Sequence, residues 1–123
     1  MKKVKITAKN FTLYAEFFDT KTAQAILAAL PIEAPPEEWG DEFYFEIPVK
    51  MPLDETATTK VKIGDMGYWP PGNALAIFFG PTPISRGPEP VPASDVNLVG
   101  RIIGDATVLR MAKGANKIRI EEA

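Results

Sequence analysis

The chain has 123 residues, which fits a single domain over residues 1–123 with one buried core. Its formal net charge of −2, from 14 basic and 16 acidic residues, argues against a nucleic-acid partner, and no apolar run approaches the ~18 residues of a membrane helix. The absence of both Cys and His excludes disulfides, Cys/His zinc sites, Ser-His-Asp triads and imidazole catalysis.

The composition and the N-terminal residues also indicate the fold class, the cellular location and the source of the protein. Twelve Pro and nine Gly favour many turns and few long helices, which predicts a β-rich protein. Residues 1–6 alternate charged and apolar side chains and lack the apolar region of a signal peptide, so we expect a cytoplasmic protein with no membrane partner. The absence of Cys, the single Gln and the proline-rich loops favour a heat-adapted source.

The first predicted element is a β-hairpin. Residues 3–8 and 11–18 each alternate apolar and polar side chains, the pattern of half-buried strands. Between them lies Lys9-Asn10, whose Asn suits a tight turn. The first strand also carries lysines that we interpret as edge-strand charges that discourage aggregation: Lys2, Lys3 and Lys5.

A short helix is predicted after the hairpin. Asp19 or Thr20 can cap its start, apolar residues follow at helical spacing, and Pro31 ends it. The prolines of residues 32–40 predict a loop, with Trp39 as its anchor.

Two further strands are predicted in the middle of the chain. Residues 41–49 alternate apolar and polar side chains, and Pro48 limits where this strand can pair because proline has no N–H to donate. Residues 55–63 predict a polar strand with a half-buried end.

Residues 64–83 form the segment richest in aromatic, Gly and Pro residues. Residues 66–69 predict a short strand, and Pro-Pro-Gly-Asn at residues 70–73 predicts a corner. Residues 74–79 are apolar on both faces, which is typical of a fully covered core strand. Residues 81–92 are too rich in proline for regular structure and predict a long extended loop.

Three elements complete the predicted fold. Residues 96–103 predict a strand in which Gly100 marks a bulge or a close backbone approach. A short helix capped by Asp105 is predicted over residues 106–112, and residues 117–122 predict a last strand. About nine short strands with two short helices favour a closed or nearly closed barrel, because closure removes unpaired strand edges.

Two sequence blocks carry a family resemblance. Residues 64–83 contain Gly-Asp-Met-Gly-Tyr-Trp-Pro-Pro-Gly-Asn followed by Ala-Leu-Ala-Ile-Phe-Phe-Gly-Pro-Thr-Pro, and residues 99–105 are Val-Gly-Arg-Ile-Ile-Gly-Asp. With the order of the predicted elements, these blocks resemble the cyclophilin-like family of small bacterial and archaeal proteins, which includes a Thermotoga member. The resemblance spans nearly the whole chain and implies a closed eight-stranded cyclophilin-like barrel with two short helices.

The resemblance also raises the question of peptidyl-prolyl isomerase activity. Cyclophilins are peptidyl-prolyl isomerases whose groove uses one Arg, set in a Phe-His-Arg strand just before an Ile-Pro. When that Ile-Pro is matched to Ile47-Pro48, Phe45 takes the place of the Arg. The guanidinium is therefore absent from this strand, and Arg86 or Arg101 would have to supply a cation from elsewhere. Fold by itself does not carry function.

Two carboxylates and one arginine have both a functional and a structural interpretation. Asp41 and Asp65 are the acids nearest the aromatic segment, and as a pair they would serve acid–base chemistry or bind a divalent cation. An Asp that follows Gly and precedes a strand more often bonds backbone amides in a turn. Arg101 either reaches a cleft or forms an ion pair with a carboxylate such as Asp105 or Glu46.

An aromatic corner is the best candidate for a binding site. Tyr68, Trp69 and the prolines after them either line a preformed apolar cleft or pack as a barrel corner. Phe78 is either core or faces a groove, and Arg86 either clamps an anionic ligand or is a solvated loop residue. The predicted ligand-binding residues are Phe45, Tyr68, Trp69, Phe78 and Arg86.

Three functions are compatible with these observations. The first is a non-enzymatic binding module whose groove holds a small molecule or an extended, proline-containing peptide. The second is a peptidyl-prolyl isomerase with an altered active site. The third is a structural or oligomerisation domain whose exposed strand edge pairs with a second copy, so a monomer and a homodimer are both open. We predict no cofactor, no metal and no catalytic residue.

Overall fold

The computed structural model describes residues 1–123, which form ten β-strands, one α-helix and two 3-10 helices. The strands are β1 (Lys2–Ala8), β2 (Phe11–Phe17), β3 (Ile32–Ala34), β4 (Glu37–Glu38), β5 (Glu42–Glu46), β6 (Ala57–Thr58), β7 (Asp65–Trp69), β8 (Ala74–Phe78), β9 (Val96–Ile103) and β10 (Ile118–Glu122). The α-helix is α1 (Lys21–Ala28), and the 3-10 helices span Pro70–Gly72 and Ala106–Ala112. The mainly β prediction with two helices is confirmed, although the second predicted helix is of the 3-10 type. None of the helices is both long and apolar enough to span a bilayer.

All ten strands belong to one antiparallel sheet. Nine of them follow the order β3-β10-β1-β2-β9-β7-β8-β5-β4, and β6 pairs with β9. The end strands β3 and β4 lie within residues 32–40, which the sequence predicts as a loop, and they are joined by Pro35-Pro36. Hydrogen bonds do not close the sheet between them, so the closed eight-stranded barrel is not confirmed. The two prolines contribute to this gap because they have no N–H to donate to a ladder.

The N-terminal hairpin is confirmed, but its first strand lies inside the sheet. β1 and β2 pair with Ala8 opposite Phe11, which leaves a two-residue turn. The other side of β1 pairs with β10, the last strand of the chain. The interpretation as edge charges is therefore wrong for the lysines of this strand: Lys2, Lys3 and Lys5. Pairing with a strand more than 100 residues away leaves no local signal in the sequence.

The helix predicted after the hairpin begins as expected. The hydroxyl of Thr20, and not the carboxylate of Asp19, caps α1 by accepting the N–H of Ala23 at 3.2 Å. Ala23 and Ile26 of this helix are fully buried in the core.

Most of residues 55–63 does not form the predicted strand, because only β6 pairs there, over two residues. The carboxylate of Asp54 accepts the N–H of Thr56 at 2.8 Å, and the hydroxyl of Thr58 accepts the N–H of Lys60 at 2.9 Å. These local bonds occupy backbone donors that a strand ladder would need. The β-favouring composition of the segment is therefore overridden by its own turn-forming side chains.

Two hydrophobic clusters lie on opposite faces of β8. The main cluster contains 25 buried residues. The second cluster is small and consists of Val61, Ala76, Phe78 and Val96. Successive strand residues point to opposite faces, so Phe78 packs in the second cluster and Phe79 in the main one. Every residue of β8 is buried, which confirms the prediction for residues 74–79.

A bulge shapes the pairing of β7 with β9. Met66 lies opposite Gly100, whereas Gly67 lies opposite Leu98, so β9 contains one extra residue at this point. A Cβ atom at position 100 would lie 2.6 Å from the carbonyl oxygen of Glu16. Gly100 therefore lies beside a bulge and permits the close approach of β2, the two features that the sequence predicts at this position.

Candidate functional site

A pocket of about 220 Å³ opens over the second hydrophobic cluster. We call it the aromatic pocket, and its lining consists of Trp39, Glu42, Tyr44, Trp69, Pro92, Ala93 and Val96. Three strands and two loops supply these residues, so the pocket exists only in the folded sheet.

Strand β5 supplies two lining residues through its alternation. Phe43 and Phe45 point into the main cluster. The residues between and before them, Glu42 and Tyr44, point to the other face and line the aromatic pocket. One strand thus contributes its apolar face to the core and its mixed face to the site.

Trp69 is held in place by a hydrogen bond and by an aromatic contact. Its indole N–H donates to the hydroxyl of Ser94 at 2.7 Å. Its ring meets that of Tyr44 edge to face, with centroids 6.4 Å apart and an interplanar angle of 71°. Two walls of the pocket are therefore nearly perpendicular and fixed relative to each other.

The proline-rich loop predicted over residues 81–92 lacks helix and strand, and it closes one side of the pocket. Thr82, which is buried, donates its hydroxyl proton to the carbonyl of Val91 at 2.6 Å. Its backbone N–H donates to the hydroxyl of Ser85 at 2.9 Å. These bonds fold the loop back on itself and bring Pro92 to the pocket, so the prediction that the loop is extended is wrong.

The acidic group of the aromatic pocket is Glu42, which is only 7% exposed. Its Oε1 atom is buried and has no hydrogen-bond partner. Burial raises the pKa of this carboxyl from its ordinary value of 4.5 to about 8, and no basic neighbour offsets that effect. A buried polar atom without a partner is rare in folded proteins and requires an explanation, which a bound ligand would supply.

A second pocket of about 650 Å³ lies on the other side of Tyr44, whose side chain lines both. We call it the acidic pocket because three of its lining residues are glutamates: Glu33, Glu37 and Glu46. Arg119 lies 2.8 Å from the Glu33 carboxylate and Lys117 lies 3.6 Å from it. The hydrogen bond from Arg119 and the charge of Lys117 lower the pKa of Glu33.

The five predicted ligand-binding residues do not meet at one place. Phe45 and Tyr68 belong to the main cluster, although Phe45 also lines the acidic pocket. Phe78 is fully buried in the second cluster, and Trp69 lines the aromatic pocket. Arg86 is exposed in the proline-rich loop and lines neither pocket. Their roles in ligand binding stay predictions.

The polar tip of Tyr68 is bonded to backbone. Its hydroxyl donates to the carbonyl of Val49 at 2.6 Å and accepts the N–H of Met51 at 3.2 Å. These bonds attach the segment after β5 to strand β7. Tyr68 therefore packs as part of a structural corner, whereas Trp69 lines a cleft.

Asp41 is engaged by two basic side chains. Its carboxylate lies 2.8 Å from Arg110 and 2.6 Å from Lys113. Burial acts to raise the pKa of Asp41, but the hydrogen bonds from Lys113 and Arg110 outweigh it and the pKa is lowered. This carboxylate is therefore part of a surface ion-pair network.

Asp65 forms an ion pair with Arg101 at 3.5 Å. The two residues lie opposite each other on β7 and β9, so the predicted ion pair of Arg101 forms, with Asp65 in place of the candidate partners Asp105 and Glu46. Asp65 also accepts the N–H of Lys62 at 2.8 Å. Asp41 and Asp65 thus have separate partners, and no group of three or more acidic residues, the glutamates of the acidic pocket included, is arranged so that it could hold a metal ion.

The comparisons with known proteins extend these observations. The sequence profile described as Cyclophilin-like matches residues 2–121. The chain belongs to the cyclophilin-like family. The solution structure of the hypothetical protein AF2241 from Archaeoglobus fulgidus is similar to this cyclophilin-like protein with a TM-score of 0.82 and 34% sequence identity, over 99% of this chain and 95% of that one. No curated protein matches the sequence.

Of the residues that line the aromatic pocket of this cyclophilin-like protein, the sequence indicates only Trp69 as a ligand-binding residue. The sequence predicts Trp39 only as a loop anchor and Glu42 only as a member of an alternating strand. It predicts Pro92 only as part of an extended loop. The alternation does place Glu42 and Tyr44 on one face, but no pattern indicates that the proline-rich loop covers that face.

Proposed function

We propose that this cyclophilin-like protein is a non-enzymatic binding module whose ligand occupies the aromatic pocket. The observation that carries the proposal is the buried carboxyl of Glu42, with one oxygen unpartnered, in the lining of a pocket walled by three aromatic rings. A largely apolar pocket with one well-placed polar group is the usual form of a small-molecule site.

The dimensions of the pocket favour a small molecule over an extended peptide. Its volume of about 220 Å³ lies below the range of about 300 to 1,000 Å³ that drug-sized ligands occupy. An extended, proline-containing peptide would have to cross the ring of Tyr44 to reach the acidic pocket as well.

Both tryptophans of the chain line the aromatic pocket, which makes the binding test specific. We expect a screen of compact fragments to yield ligands that shift the indole N–H resonances of Trp39 and Trp69 in two-dimensional NMR spectra. Ala93→Phe enlarges a lining residue and is expected to weaken such ligands by at least roughly tenfold, because a ring at this position competes for the volume they fill.

The matched control for this screen is Glu46→Gln, an exposed residue of the same strand that lines only the acidic pocket. Ligand affinities of this variant are expected to equal those of the unmodified protein. Fragments that shift neither indole, or that bind Ala93→Phe with unchanged affinity, would remove the support for the proposed site.

An isomerase is the less supported alternative. Neither pocket is lined by an Arg or a Lys, and Arg101 is paired with Asp65. Lys117 and Arg119, the cations beside the acidic pocket, are paired with Glu33, so neither pocket offers an unpaired positive charge to stabilise a twisted prolyl amide. In a protease-coupled assay on a short Ala-Pro peptide, we expect the isomerisation rate to equal that of a buffer blank. Acceleration that disappears in Arg86→Ala would contradict this expectation and support the isomerase.

An oligomerisation domain is also less supported by the sheet edges. The end strands β3 and β4 have three and two residues, and β4 consists of the exposed pair Glu37 and Glu38. Short, charged edge strands disfavour pairing with a second copy.

A further inference from the structure

Building on the proposed function, we infer the chemical class of the ligand. It is a small alkylated ammonium ion that keeps an N–H, enclosed by the rings of Trp39, Tyr44 and Trp69 and hydrogen-bonded to the carboxylate of Glu42. The inference stands on the combination of aromatic walls with a buried acid that has no protein partner.

The aromatic walls favour a positive charge. The faces of Trp and Tyr rings attract cations, and the attraction is strongest where water is excluded. Three such rings line one pocket of about 220 Å³, and two of them, Tyr44 and Trp69, stand at 71° to each other. A compact cation can therefore contact more than one ring at the same time.

The carboxyl of Glu42 selects among the possible ligands. An anionic ligand would meet no Arg or Lys in the lining and would be repelled by an ionised Glu42. A purely apolar ligand would leave Oε1 without a partner. A cation with an N–H supplies both the opposite charge and the missing hydrogen bond, and charge-assisted bonds of this kind are the strong ones. A quaternary ammonium ion supplies only the charge.

The affinity for an ammonium ion is expected to depend on the protonation state of Glu42. In the empty pocket the pKa of Glu42 is about 8, so most of the carboxyl is protonated at pH 7. An ammonium ion binds the ionised form, so its affinity rises with pH, approaching tenfold per pH unit below the pKa. A neutral ligand that accepts a hydrogen bond from the protonated carboxyl would show the opposite dependence.

The groups around Glu42 are not expected to contribute to the pH dependence of ligand affinity, which we assign to Glu42. Tyr44 is the one other titratable residue in the lining. From β4, Glu38 directs its carboxylate to the N–H of Gly114 at 2.7 Å. Asp41, the residue before Glu42, has its carboxylate paired with Arg110 and Lys113. The other residues that line the pocket or pair with Glu42 do not titrate: Trp39, Trp69, Phe78, Pro92, Ala93 and Val96.

The test is a titration with trimethylammonium chloride at pH 6, 7 and 8, read by tryptophan fluorescence and by the indole NMR signals. We expect saturable binding that tightens at each step, most strongly between pH 6 and 7. Tetramethylammonium, which has no N–H, and tert-butanol, which has no charge, are expected to bind at least tenfold more weakly. Glu42→Gln is expected to lose at least tenfold in affinity and all of the pH dependence, whereas Glu46→Gln retains both.

A second variant guards against a folding defect in Glu42→Gln. Trp39→Leu removes one wall, so we expect weaker binding of trimethylammonium with the pH dependence preserved. An affinity that falls as the pH rises, equal binding of tert-butanol, or no saturable binding of trimethylammonium would overturn the cation assignment. If neutral fragments still bind in a manner that Ala93→Phe abolishes, the binding module stands; if no fragment does, both proposals are overturned.

Discussion

The unfolding free energy of the unmodified protein is expected to fall as the pH rises from 5 to 9, whereas that of Glu42→Gln is expected to stay nearly constant. The pKa of Glu42 is about 8 in the folded protein, against an ordinary value of 4.5 that applies when the chain is unfolded. The folded state therefore binds this proton more tightly. Its contribution to stability is complete below pH 4.5 and is lost progressively as the pH rises through 8.

The size of the effect follows from the same two values. The gap between 4.5 and about 8 corresponds to as much as about 5 kcal/mol of unfolding free energy. The glutamine amide does not ionise, so the variant is expected to show a nearly constant stability over this range. At pH 9 the Glu42→Gln variant is expected to be more stable than the unmodified protein. At pH 5 it is expected to be less stable if the glutamine amide lacks hydrogen-bond partners.

Urea unfolding of both proteins at pH 5, 7 and 9 measures the effect. The chosen range avoids two other carboxylates, Asp41 and Asp54, whose pKa values are lowered and whose contributions are lost only at more acidic pH. Glu46→Gln, which changes an exposed residue on the same strand, is expected to retain the unmodified slope. Identical pH dependence in Glu42→Gln and the unmodified protein would show that Glu42 is not the group responsible.

Asn97→Ala is expected to lower the unfolding free energy by about 3 to 5 kcal/mol. Asn97 is fully buried, and its Oδ1 accepts the N–H of Asp54 at 2.8 Å. Its amide group donates to the carbonyl of Pro52 at 2.9 Å and to the hydroxyl of Thr22 at 3.2 Å. Alanine leaves the backbone groups of Asp54 and Pro52 without these partners and also opens a cavity.

The network around Asn97 connects three parts of the fold. Thr22 lies on α1, Asn97 on β9, and residues 52–54 in the loop before β6. The hydroxyl of Thr22 also donates to the carboxylate of Asp54 at 2.8 Å. Because the bonds share partners, the losses in Asn97→Ala and Thr22→Ala are expected to be less than additive in the double variant.

Urea unfolding at pH 7 measures these losses, with Asn116→Ala as the matched control. Asn116 is exposed, so its replacement is expected to change stability by no more than about 0.5 kcal/mol. A loss below about 1 kcal/mol in Asn97→Ala, or strict additivity with Thr22→Ala, would be incompatible with a cooperative buried network.

The two predictions distinguish two kinds of buried polar group. Asn97 has partners for both ends of its amide, and its network stabilises the junction of helix, loop and strand. Glu42 has an unpartnered oxygen, and its burial works against stability at neutral and alkaline pH. Such a departure from the rules of stable packing is expected at functional sites, which is why the proposed function centres on Glu42.

The sequence by itself determined the local elements of this protein. Alternation of apolar and polar residues defines the hairpin and the buried faces of β2 and β5, and Thr20 is one of the two helix caps it predicts. The unbroken apolar run at residues 74–79 correctly indicates a strand covered on both sides. Motif resemblance also identified the cyclophilin-like family, because residues 64–83 and 99–105 are distinctive as linear blocks.

Only the tertiary structure decided which elements become neighbours. It paired β1 with the last strand, placed Arg101 opposite Asp65, and left the sheet open between β3 and β4. It also folded the proline-rich loop over the mixed face of β5, which turned Glu42 from an ordinary strand residue into a buried acid. The physical reason is that alternation shows which residues share a face, whereas the burial and the pKa of a side chain depend on what covers that face.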